Sequence, residues 1–156
     1  PITSFMMALT TFVSQNRGAK EYGRARKGAR FGLVCSVSLA ETIGLLIALF
    51  ATPLMRLFVD DPQVIQYGVE RAHYATILFF MLAYSHGVSA VLRGVGKSVV
   101  PMVVMLVCWC LVRVTLLTML NMLFHNILFV YLIYPFTWSL SSIVFFLYYR
   151  KINWQE

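Results

Sequence analysis

The chain has 156 residues, of which 60% are apolar and 12% charged, and it carries a net charge of +7. Soluble domains hold about 25% charged residues, and one this short has too little interior to hide so much apolar surface. The composition therefore excludes a water-soluble globular domain, and it makes the positive charge a sign of membrane topology rather than of nucleic-acid binding.

Position 1 is Pro, and an apolar run over residues 1–13 begins at once, with no basic leader or cleavage site before it. A bilayer crossing takes about 20 helical residues, so this run reads as the exit half of a span in a piece of a longer protein. Next comes VSQNRGAKEYGRARKGAR, residues 13–30, which sets six basic side chains against Glu21 alone and is expected to be a loop.

Residues 31–51 form the first full span. Glu41 lies near its middle, where a charge costs about 2.5–3.5 kcal/mol on insertion scales. Eleven Leu, Ile, Val or Phe residues in the same run return about 0.3–0.6 kcal/mol each near the centre, so the span still inserts. The acid must be protonated, paired or facing water. It reads either as a proton or cation carrier or as a hydrogen-bonded packing residue on a face shared with Ser38, Gly44, Leu45 and Ala48. In the connector TPLMRLFVDDPQVIQYG, Asp60-Asp61-Pro62 is a turn or helix-start signal.

Residues 72–92 form the second span. His86 sits there with Ser85, Ser89, Ala90 and Arg93 in a polar stripe on an otherwise oily helix, which is expected to face a cavity. The turn Gly94-Val95-Gly96-Lys97-Ser98 imitates the end of a phosphate-binding loop. The full pattern needs Gly at position 91, which is Val91, and a preceding strand, so it reads as a two-glycine helix turn. Residues 99–120 form the third span and hold Arg113, which stays protonated and needs an acid such as Glu41 or a set of carbonyls. Cys35, Cys108 and Cys110 lie inside apolar runs and read as small apolar fillers. After a short connector over 121–126, residues 127–149 form the last span. Pro135 is expected to kink it, with Ser139 available to the freed carbonyl.

The fold class that follows is an all-α integral membrane protein, an antiparallel transmembrane helix bundle of four full spans plus the end of a fifth. Strands are disfavoured because the runs lack the alternation of a membrane barrel. Connectors on one face carry ten basic residues, and those on the other carry Arg56 and Arg71 with Asp60, Asp61 and Glu70. Basic residues near span ends stay cytoplasmic, so residues 17–30 and the chain's end are expected inside. No metalloprotease, serine-hydrolase, paired-metal or dinucleotide motif is present, so neither an enzyme nor a cofactor is expected.

Five segments, in order, resemble the multidrug and toxic compound extrusion (MATE) transporters: TTFVSQNRGAKEYGRARKG, PLMRLFVDDPQVIQYG, VLRGVGKSVVPM, WCLVRVTLL and YPFTWSLSSIVFFLYYRKINW. The resemblance implies two six-helix lobes related by an axis along the membrane normal. This chain would be part of the C-terminal lobe, in the plasma membrane, facing a missing N-terminal lobe. The implied activity is alternating-access export of amphipathic organic cations, small-molecule substrates exchanged for H+ or Na+. Transport-pathway candidates are Glu41, Ser85, His86, Ser89 and Arg113. Two departures stand out: residues 72–92 contain no acid, which some members carry there, and Val114 and Thr115 stand where a proline commonly follows the arginine. A lipid-linked precursor flippase and a non-transporting scaffold subunit are the rival readings.

Overall fold

The computed structural model describes residues 2–124 and 127–154, and all regular structure among them is helical. Positions 1, 125–126 (part of the expected 121–126 connector) and 155–156 lie outside the described residues. In chain order the helices are α1 (Ile2–Gly18), α2 (Tyr22–Leu49), α3 (Ala51–Arg56), α4 (Pro62–Thr76), α5 (Phe79–Gly94), α6 (Val99–Met105), a π-helical segment (Leu106–Val112), α7 (Arg113–Phe124) and α8 (Ile127–Arg150). Tyr22–Leu49, Val99–Leu123 and Phe129–Arg150 are long and apolar enough to cross a bilayer, and α4 with α5 would make a fourth crossing as one broken span.

The basic stretch is not an extended loop. α1 runs on to Gly18 and α2 starts at Tyr22, leaving a turn in which Lys20 takes a left-handed φ of 61°. Arg24, Arg26, Lys27 and Arg30 thus occupy the first turns of α2. Cations there oppose the helix dipole, so their placement does not come from helix stability.

The expected span over 72–92 is not one continuous helix. Its first residues belong to α4, which begins in the connector, where Asp61 accepts from the Gln63 and Val64 backbone N–H groups and Pro62 fills the first turn. α4 and α5 meet at a 57° bend. No Pro or Gly marks residues 77–78; tertiary contacts hold the break. The Thr76 hydroxyl lies 2.8 Å from the Ala72 carbonyl of its own helix and 3.3 Å from the Gly44 carbonyl of α2, while Phe79 meets Trp138 of α8 edge to face at 6.1 Å.

α5 is the centre of the bundle and packs on α1, α2 and α8. Its buried residues are mostly small or slender, namely Ala83, Ser85, Gly87, Val88, Ser89, Ala90, Val91 and Gly94, with Leu92 the one large side chain among them. Large apolar side chains point outward instead: Phe31, Leu49, Ile77 and Met122 are each more than two-thirds exposed. This is the inverse of a soluble core, and it suits lipid as the solvent, where close backbone approach rather than apolar burial holds helices together. Beyond α5, Val95 and Gly96 (φ 79°) close a turn in which the Lys97 N–H reaches the Leu92 carbonyl at 2.9 Å. A helix, not a strand, precedes this turn, as the non-phosphate reading requires.

α8 continues unbroken across Pro135, and Ser139 donates to the carbonyl of Pro135 itself at 2.8 Å rather than to the one the proline frees. Cys108 is buried and Cys110 exposed, on different sides, with neither in a disulfide.

A test of the close packing follows from Gly94, where an added Cβ would lie 2.7 Å from the Val13 Cβ and 2.9 Å from the Thr10 carbonyl oxygen. Gly94→Ala is expected to cost about 1–3 kcal/mol as overpacking and to lower the Tm of the detergent-solubilised full-length protein. Gly23→Ala, with open space around it, is expected to leave Tm unchanged or raise it.

Candidate functional site

Two features meet on α5. The first is a cleft of about 500 Å³ between α1, α2 and α5. α1 contributes Met6, Met7, Thr10 and Thr11, α2 contributes Ala40, and α5 contributes Phe79, Leu82, His86 and Arg93. Thr10 is fixed there by donating to the Met6 carbonyl at 2.9 Å and across to the Ala90 carbonyl at 3.1 Å. The walls are thus mostly hydrocarbon and thioether, with threonine hydroxyls, one imidazole and the Arg93 guanidinium. Unbranched methionines repack around differently shaped guests, and the volume is that of a small-molecule site. Among the described residues, no carboxylate lines it.

The second feature is a polar seam joining α5 to the π segment, α7 and α8. The His86 ring meets Trp109 edge to face at 5.1 Å. Trp109 Nε1 donates to the Ser141 hydroxyl at 3.2 Å, and Ser141 and Ser142 lie 3.0 and 2.9 Å from the Ser85 hydroxyl. On the other side of Trp109, the Arg113 guanidinium stands 5.4 Å from its ring centroid and 4.7 Å from that of Tyr134. Arg113 donates to the Thr137 hydroxyl from Nε at 3.1 Å and from an Nη at 2.7 Å. Two hydrogen bonds and two ring faces therefore enclose the charge, which suits a planar guanidinium.

The expected stripe is split by this arrangement. Only His86 and Arg93 line the cleft. Ser85 turns to α8, and Ser89 is buried and accepts from Arg93 at 2.7 Å. The suggested pairing of Arg113 with Glu41 is not made, because Arg113 has hydroxyl and aromatic partners on α8 and in the π segment. Glu41 stays apart: its neighbour Ala40 lines the cleft, and its own Oε2 is buried without a hydrogen-bond partner.

Trp109, Tyr134, Thr137, Ser141 and Ser142 join the seam without having been among the expected site residues. A signal existed: Thr137, Ser139, Ser141 and Ser142 crowd four hydroxyls into six residues of an oily helix, more than one proline needs. The π segment had no such signal. Its residues, LVCWCLV, are ordinary span residues.

Comparison with known proteins gives two results. The MatE family model matches residues 1–119. A protein of Thermotoga maritima described as "Probable multidrug resistance protein NorM" is 30% identical over 104 residues, covering 67% of this chain. The matched stretch is 22% of that relative, so the chain spans well under half of its length.

The Arg113 cage is tested by a pair of substitutions read as Tm and unfolding free energy in detergent. Thr137→Val leaves the guanidinium short of its acceptor and is expected to cost about 1.5–3 kcal/mol, the value of a hydrogen bond to a charged group. Arg113→Met added to Thr137→Val is expected to restore much of that loss, since no charge then remains unpaired. Equal or greater loss in the double variant would show that ring packing, not the hydrogen bonds, holds the seam.

Proposed function

The chain belongs to the MatE family, and from that premise we propose that it forms part of the C-terminal lobe of a secondary active exporter. The cargo would be amphipathic organic compounds, often cationic, moved by alternating access against an inward flow of H+ or Na+. The observation that carries this reading is the cleft: about 500 Å³ of methionine, ring and aliphatic wall with sparse hydroxyls, one imidazole and the single guanidinium of Arg93. Such a lining accommodates many oily guests and fixes none of them tightly. Coupling falls outside the cleft in this reading, because among the described residues no acid lines it. Glu41 and the facing lobe are where a coupling acid would sit. The 57° bend between α4 and α5 gives one helix bordering the cleft a point at which to flex, and the π segment, whose Trp109 meets His86, gives its neighbour another.

The flippase reading is weaker on a specific point. A pyrophosphate cargo calls for several cations in the cavity, whereas Arg93 alone lines the cleft and Arg113 is spent on Thr137 and its rings.

Two outcomes test the proposal in cells making the full-length protein. His86→Phe is expected to lower efflux of a lipophilic cationic dye by about fivefold, as loss of about 1 kcal/mol of cargo interaction would. Leu132→Phe, on the outward side of α8, should leave efflux unchanged. Normal efflux by both His86→Phe and the cleft-filling Leu82→Trp, at normal membrane levels, would remove the cleft from the pathway. Second, Gly23→Cys in a cysteine-free background should resist an impermeant thiol reagent in intact cells and react after the membrane is opened. Labelling from outside would invert the topology.

A further inference from the structure

The face of α5 opposite the cleft carries a second groove that the transport reading leaves unused. It lies between α2 and α8, floored by Phe80, Met81 and Tyr84 of α5 and walled by Val37, Ile143 and Phe146. It holds about 340 Å³ and exposes no polar atom on its walls. The same two helices, followed toward the end where the basic connectors gather, form a pocket of about 280 Å³ containing Arg26 and Arg30 from α2 and Arg150 from α8. Tyr149 and Trp154 form its aromatic side, meeting edge to face at 6.4 Å.

The two hollows are separate but lie one after the other along the same pair of helices. Arg150 folds back so that its guanidinium stands 5.7 Å from the Phe146 ring centroid, and Phe146 is a wall of the groove. Arg30 and Val37 are seven residues apart on α2, about 10 Å of helix axis. A bilayer's headgroup layer is about 5–8 Å thick on each side of its hydrocarbon. A molecule with its anionic part among the arginines would therefore have its hydrocarbon in the groove. All three arginines are exposed, and none has a carboxylate partner among the described residues.

We propose that this is a binding site for an anionic glycerophospholipid of the leaflet that the basic end faces. The phosphate would lie among Arg26, Arg30 and Arg150, and an acyl chain between Val37 and Phe146. A free anion would use the pocket and leave the groove empty, and a zwitterionic lipid would use the groove and bring its own cation against the arginines. The joint geometry selects a lipid with net negative charge. Seated there, the lipid would press on Phe80, Met81 and Tyr84, so it bears on the helix that carries His86. The proposal depends on the chain lying in a membrane and not on the exported cargo.

The test uses the full-length protein, delipidated in detergent, with binding followed by native mass spectrometry and by Tm. Phosphatidylglycerol is expected to bind and raise Tm, with phosphatidylcholine and soluble glycerol phosphate doing so far less. Arg26→Gln with Arg150→Gln should weaken phosphatidylglycerol binding about thirtyfold, from two surface cations acting on an anionic lipid. Arg24→Gln with Lys27→Gln removes the same charge outside the pocket and should weaken it much less. Ile143→Ser with Phe146→Ser should weaken lipid binding while leaving any response to glycerol phosphate unchanged. Three results would each overturn the site: equal weakening by the two charge-removing pairs, equal binding of phosphatidylcholine, or a glycerol phosphate response matching that of the lipid.

Discussion

The small surface of α5 is the constraint on which the bundle depends. Lipid tails are as apolar as leucine, so burial of oily side chains does not draw these helices together; close contact does. Where Gly94 faces Val13 and Thr10, and Gly87 faces Leu33 of α2, a side chain on α5 would hold its neighbours off. Because Leu92 is the one large side chain that α5 buries, α1, α2 and α8 all close on this one helix. Its three faces then acquire three different characters. Toward α1 lies the cleft with His86, toward α8 the serine seam through Ser85, and between α2 and α8 the apolar groove over Tyr84.

The two charged residues inside the oily layer are held differently. Arginine cannot shed its proton at ordinary pH. Arg113 is accordingly provided for: Thr137 accepts two of its N–H groups and two aromatic faces flank it. Glu41 has no such surroundings, and its Oε2 is buried without a hydrogen-bond partner among the described residues.

The basic connectors show how one charge pattern serves two purposes. A bundle of successive crossings brings alternate connectors to the same end. Arg17 of the first donates to the Val95 carbonyl of the second, while Arg26 and Arg30 meet Arg150 near the chain's end. Concentrating cations at one end orients a membrane protein. Concentrating them beside an aromatic, apolar groove adds a surface complementary to a charged lipid.

Several features were legible in the residues alone. The lipid environment follows from apolar excess, the helix start from Asp61-Pro62, the charged end from counting connectors, and the special status of Glu41, His86 and Arg113 from the cost of polarity in oil. These depend on composition and on local spacing, which a sequence states directly. The break between Thr76 and Phe79, the helical course of the basic stretch, the π segment and the partners of Arg113 were not legible. The break and the partners of Arg113 involve contacts between residues far apart in the chain: Thr76 with Gly44, Phe79 with Trp138, Arg113 with Thr137. An intramembrane polar group announces that it needs a partner, but several helices offer hydroxyls and rings. Only the packing around α5 selects which of them comes within reach.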